Sequence, residues 1–192
     1  MEAFVTMPSL RAYRGLVGAA GEYYLAAELS RRGWLATVTI KNSPGTDVLA
    51  QDTATGRVIA LQTKTASAGS AFRLSAKDER TTPNDNEWYA LVRLRSAQER
   101  PDFFLVPRNV AATLIYVAHR WWLSQPGRGG RQRNDSTMRV IEPHAVEQYR
   151  EQWEWLAEAT RDVVFEVGDW TREKAKLVGL QDGHPETARV GV

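Results

Sequence analysis

Four side chains in the N-terminal third of this 192-residue chain, Glu22, Asp47, Gln62 and Lys64, have types that work together on a polar substrate. Carboxylates and an amide oxygen are hard donors of the kind that bind a Mg²⁺-like ion. A neighbouring lysine ammonium can stabilise developing negative charge or help deprotonate a water. Gln62 and Lys64 lie two apart in Val58-Ile-Ala-Leu-Gln-Thr-Lys-Thr65. In a strand that spacing sends both to one face, while Ile59, Leu61 and Thr63 share the other. Asp47 follows the turn Ser43-Pro-Gly-Thr46 and opens the run Val48-Leu-Ala50. If Thr53 to Gly56 closes a hairpin, Asp52 faces Arg57 and the numbers of paired residues add to 109 throughout. Asp47 then stands opposite Gln62 on the same face, because directly opposed residues share a face. A slip of one residue would reverse this. Glu22 has Gly18, Ala19, Leu25 and Ala26 as its helical neighbours, so no base within its own helix can pair with it. That suits a carboxylate whose task lies elsewhere, such as joining Asp47 on the same ion.

The elements that must position these residues are legible from periodicity. Gly15 to Arg32 reads as a helix with Leu16, Ala20, Tyr23 and Ala27 as its core-facing stripe, stopped by Gly33. Trp34 to Ile40, Thr46 to Gln51 and Arg57 to Thr65 read as strands, with Ala71 to Ser75 as a short fourth. Glu87 to Leu94 and Phe103 to Val106 are further strands, and Asn109 to Leu123 is helical. A last helix is expected from about Ala145 to Thr160, with Val146, Tyr149, Trp153 and Leu156 on one face, before a mobile tail at Gln181 to Val192. A helix, a run of strands, then helices implies an α/β fold with a central mixed sheet flanked by helices. One domain is expected over residues 1–160, followed by a C-terminal extension over 161–192.

Composition excludes several classes. Hydrophobic residues make up 43% and charged residues 25%, which rules out a disordered or fibrous chain. No apolar window approaches the length of a transmembrane helix, and the N-terminus lacks a signal-peptide pattern, so a cytoplasmic protein without a membrane partner is expected. The absence of cysteine excludes disulfides, thiolate metal sites and a cysteine nucleophile. His119, His144 and His184 are too scattered for a histidine metal helix, and no Gly-x-Ser-x-Gly elbow or phosphate-binding Gly-rich Lys loop is present. Net charge is only +2, yet Arg120, Arg128, Arg131, Arg133 and Arg139 face a single acid, Asp135, within twenty residues. The stretch Gln125 to Thr137 is Gly- and Pro-rich, so it reads as a basic loop able to contact phosphates.

The order of these motifs resembles the PD-(D/E)XK, or restriction-endonuclease-like, nuclease superfamily, in its Holliday-junction-resolvase-like and Mrr-like branches. The resemblance is carried by Gly18-Ala-Ala-Gly-Glu22-Tyr-Tyr-Leu-Ala-Ala27, Gly45-Thr-Asp47-Val-Leu-Ala50 and Ile59-Ala-Leu-Gln62-Thr-Lys64. It covers about Gly15 to Thr65, with a less specific likeness in Trp88 to Val92 and Pro101 to Pro107. Neutral Gln62 stands where the commoner motif has an acid. The resemblance implies an endonuclease hydrolysing DNA phosphodiester bonds with Mg²⁺ or Mn²⁺. It makes Glu22, Asp47, Gln62 and Lys64 catalytic, with Asp47 the principal metal ligand. Glu22, the Gln62 amide oxygen and the Thr63 carbonyl would complete the metal's set, and Lys64 would act on the attacking water. Lys41, Lys77, Arg128, Arg131 and Arg133 are the expected DNA contacts, and a homodimer would suit two-strand cleavage. The competing reading is a nuclease-like fold that binds DNA or protein without cutting.

Overall fold

The computed structural model describes residues 10–40, 45–158 and 169–178. Its centre is a five-stranded sheet in the order β1-β2-β3-β5-β6. The strands are β1 (Trp34–Val38), β2 (Val48–Asp52), β3 (Val58–Ser67), β5 (Glu87–Leu94) and β6 (Asp102–Pro107). Neighbours run antiparallel except β3 and β5, which are parallel, so the sheet is mixed as expected. A separate antiparallel ribbon pairs β4 (Phe72–Ser75) with β7 (Met138–Ile141). The β2–β3 ladder joins Val48 to Leu61 and Gln51 to Val58, which is the register read from the hairpin loop.

Alternation along β3 assigns the two faces. Helix α1 (Leu10–Arg31) covers the face bearing Leu61 and Thr65. Gly21 meets Thr65 so closely there that an added Cβ would come within 2.0 Å of the threonine hydroxyl. The other face carries Lys64, Leu91 and Phe104, register neighbours across β3, β5 and β6. The ribbon packs on it, with Phe72 edge-on to Phe104 at 5.7 Å. Helix α2 (Arg108–Ser124) begins beside it, Arg108 lying over the Tyr89 ring. Helix α3 (Asp169–Leu177) buries Ala175 against Val117 of α2.

Two expectations are corrected. Leu16 and Tyr23, expected in the core-facing stripe of α1, are 62% and 67% exposed, and Ala27 is exposed as well. The inward face is instead Gly21, Leu25, Glu28 and Leu29. A glycine and a buried glutamate on that face disguise the apolar period. The expected helix over Ala145 to Thr160 is two 3₁₀ segments, Pro143–Tyr149 and Trp153–Ala157. Between them Glu151 adopts φ of 57°, which a continuous right-handed helix does not tolerate. That backbone lets the Glu151 carboxylate accept from the Phe103 amide and the Trp153 indole. Trp153 and Trp155 pack on the core, while the tail at 181–192 lies outside the described residues. No helix among the described residues is long and apolar enough to cross a membrane.

Candidate functional site

β2 stops pairing with β3 at Val48 and Leu61, while β3 runs on to Ser67 beside β5. Beyond Leu61, one edge of β3 is therefore left without a strand partner from β2, and Asp47 stands at the point of departure. Its backbone is held on both sides. The Asp47 amide donates to the Leu61 carbonyl at 2.9 Å, and its carbonyl accepts from the Thr39 amide at 2.9 Å. The Thr39 hydroxyl also donates to the Thr46 carbonyl at 2.7 Å. With the backbone fixed, the Asp47 carboxylate accepts from the Thr63 amide at 2.7 Å. Strand amides lie in the plane of the sheet, so the carboxylate sits at the edge, between the two faces. The N–H and C=O of one strand residue leave on the same edge, so the Thr63 carbonyl is directed there too.

Gln62 and Lys64 flank this contact on β3. Gln62 is 8% exposed, and its Oε1 is buried with no hydrogen-bond partner; the Thr63 and Thr65 hydroxyls are in the same condition. Lys64 is half-buried. Gln62 lies beside Tyr89 in the parallel register, and the Tyr89 hydroxyl donates to Asp78 Oδ1 at 2.8 Å. The second Asp78 oxygen accepts from the amide and the hydroxyl of Ser75, both at 2.8 Å. Burial works to raise the Asp78 carboxyl, but the Ser75 and Tyr89 hydrogen bonds outweigh it, helped by the charge of Lys64. The group is held below the usual carboxylate range, as an anion. Burial in turn pushes the Tyr89 phenol well above its ordinary value. Glu22 is half-buried on α1, the helix over the opposite face of β3, one residue from the Gly21–Thr65 contact.

Asp47 thus meets the Thr63 amide at the strand edge, Gln62 and Lys64 lie on the ribbon face of the same stretch, and Glu22 is on the helix that covers the other face. The oxygen set suits a hard cation: a carboxylate, a backbone carbonyl and a buried amide oxygen without a partner. Among the described residues no three acids or histidines converge, so the ion would meet few formal charges. The sequence reading missed Asp78, although Ser75-x-x-Asp78 is the pattern of a side chain reaching back to a turn's first residue.

The expected nucleic-acid contacts divide. Arg128 and Arg131 are exposed on the loop, and Lys77 is exposed on the short turn Ala76–Glu79. Arg133 folds back over the Trp122 ring at 4.6 Å and toward the Pro126 carbonyl. Arg139 is buried against Glu79, and Asp135 is bound to His119 at 2.7 Å. Lys41 lies outside the described residues.

No family model and no curated relative matches the chain. Among solved structures it is similar to a bacterial homing endonuclease, I-Ssp6803I, at 13% identity and a TM-score of 0.43, covering 78% of this chain and 93% of that one. It is similar also to Hjc, a Holliday junction resolvase from the archaeal hyperthermophile Archaeoglobus fulgidus, at 13% identity and a TM-score of 0.42, covering 73% of this chain and 96% of that one.

Proposed function

We propose that this chain is a divalent-metal-dependent nuclease that hydrolyses phosphodiester bonds in DNA at the edge of β3 beyond its pairing with β2. The observation that carries the proposal is the Asp47 carboxylate on the Thr63 amide, between a buried Gln62 oxygen without a partner and Lys64. Asp47, the Thr63 carbonyl and Gln62 Oε1 would hold Mg²⁺ or Mn²⁺, with Glu22 joining from α1. When bound, such an ion supplies Lewis-acid polarisation of a phosphate and a more acidic water. The chain's own residues do the rest. The Thr63 amide fixes the rotamer of Asp47. Lys64 would present its ammonium where the pentavalent phosphate gathers negative charge. Arg128, Arg131 and Lys77 offer exposed charges for neighbouring phosphates.

One feature favours the competing reading of a scaffold that binds without cutting. Asp47 already spends an oxygen on the Thr63 amide, as a purely structural strand cap would. Nicking of supercoiled plasmid in Mn²⁺, in Mg²⁺ and in chelator separates the two. The nuclease reading expects metal-dependent nicking that Asp47→Ala and Lys64→Ala each lower by on the order of 10²-fold or more. DNA binding without nicking in either metal would leave the scaffold.

A further inference from the structure

A second feature lies away from the β3 edge, on the ribbon side of the sheet. A cavity of about 440 Å³ opens between the C-terminal half of α2, the basic loop and β7, and it reaches Thr171 of α3. Its size falls within the range of small-molecule pockets. The floor is apolar, with Leu114, Val140 and Ile141. The wall is a stack of flat groups: His119 lies against Trp122 at 5.7 Å with 19° between the rings, and the Arg133 guanidinium covers Trp122 at 4.6 Å. Trp122 remains 41% exposed. Gln125 and Glu142 bring hydrogen-bonding groups to the lining.

Flat aromatic and guanidinium surfaces of this kind stack on unpaired bases. The rim is the loop that carries exposed Arg128 and Arg131, the charges a flanking phosphate needs. The cavity has room for one base but not for a stacked duplex, so a base can enter only when it has left the helix. The ribbon ties the cavity to the strand edge. Met138, on its lining, pairs with Ser75, which holds the Asp78 carboxylate beside Lys64.

We infer that this cavity takes an extrahelical nucleobase of the bound DNA, so that the preferred substrate carries a bulged, flapped or mismatched nucleotide. The inference rests on the DNA-binding part of the proposed function but not on cleavage. It is tested with the full chain in chelator and three fluorescent probes: a duplex with one bulged 2-aminopurine, the same base fully paired, and free 2-aminopurine nucleotide. The bulged probe should bind about tenfold tighter than the paired one, as one base stack provides, with its fluorescence quenched. Trp122→Ala, which removes the stack, and Met138→Trp, which fills the cavity from an exposed position, should each erase that preference and leave paired-duplex affinity unchanged. Equal affinity for the two duplexes overturns the inference. So does a preference that survives both variants, or free nucleotide binding as tightly as the bulged duplex. Adding Mn²⁺ then separates the two proposals. A bulge preference without nicking keeps the cavity and removes the nuclease, whereas nicking without a bulge preference does the reverse.

Discussion

Two polar regions of this fold border the same sheet and satisfy themselves to very different degrees. At one end of α1, Glu28 is buried and accepts from Arg31, Arg32 and Arg100, and Arg100 also reaches Glu151. Nearby, Asp102 accepts from Arg93, Arg95 and Arg150. Every carboxylate there is matched by guanidinium groups of its own chain. Along β3 beyond its pairing with β2 the opposite holds: Gln62, on the ribbon face, and Thr63 and Thr65, on the face under α1, each keep a buried oxygen without a partner, within four successive residues. An unsatisfied buried polar group costs about 1–3 kcal/mol. The clamp is therefore built for stability, whereas this stretch of β3 leaves polar groups unsatisfied, the Gln62 amide oxygen among them.

The contrast breaks most sharply by mutation. Asp47→Ala should lower Mn²⁺-dependent nicking by on the order of 10²–10³-fold, the scale of losing a principal charge-stabilising group. Its thermal stability should fall only by about 1–3 kcal/mol, for the Thr63 amide left without its acceptor. Glu28→Gln should invert the pattern, with normal nicking per folded molecule and stability reduced by up to about 3 kcal/mol at neutral pH. That figure follows from a Glu28 carboxyl held at about 2, first by the Arg100 hydrogen bond and then by Arg32, against 4.5 for the free group. A depressed folded-state value gives stability that is complete above pH 4.5 and is lost as the pH falls through about 2. The difference between parent and variant should shrink across that window, read by chemical denaturation at stepped pH.

Gly21→Ala tests the link between the two regions. Alanine gains about 1 kcal/mol of helix propensity, but its methyl would overlap the Thr65 side chain, and overpacking of this kind costs about 1–3 kcal/mol. The expected result is a small net loss of stability, with a larger loss of nicking as α1 and Glu22 are pushed from β3. A stabilised variant with full nicking would mean that the helix can move freely. The mildest effect belongs to the basic loop. Replacing Arg128 and Arg131 with Ala should weaken DNA binding across sequences and reduce the salt slope by about two, one per lost phosphate contact.

Much of this was legible in the sequence, for identifiable reasons. The loop Asp52 to Arg57 fixes its own register, because Asp52 caps Ala54 and Thr55 with its carboxylate. The pairing of β2 with β3 then follows residue by residue. Strands such as Glu87–Leu94 announce themselves by unbroken apolar, β-branched and aromatic residues. What was hidden depends on partners distant in sequence. Glu28 is buried on the core face of α1 with Arg100, 72 residues away, joining Arg31 and Arg32 on its carboxylate, so counting apolar residues chose the wrong face. The helix expected after Ala145 is broken at Glu151 by bonds to Phe103 and Arg100 on or beside β6, which no local propensity reports. At the proposed site, residue types and spacing pointed to Asp47, Gln62 and Lys64. That Asp47 would engage the Thr63 amide in the plane of the sheet depends on where β2 turns away.

Calorimetric titration of Mn²⁺ into the free protein and its variants tests most directly whether the β3 edge is a cation site. With Gln62 neutral, the parent should bind weakly, because affinity follows the number of charged oxygens around the ion. Gln62→Glu should bind at least tenfold tighter, Lys64→Ala should bind as the parent does, and Asp47→Ala should show no binding. If Gln62→Glu binds Mn²⁺ no better than the parent, the Gln62 oxygen does not face the ion, and the edge of β3 is not the metal site.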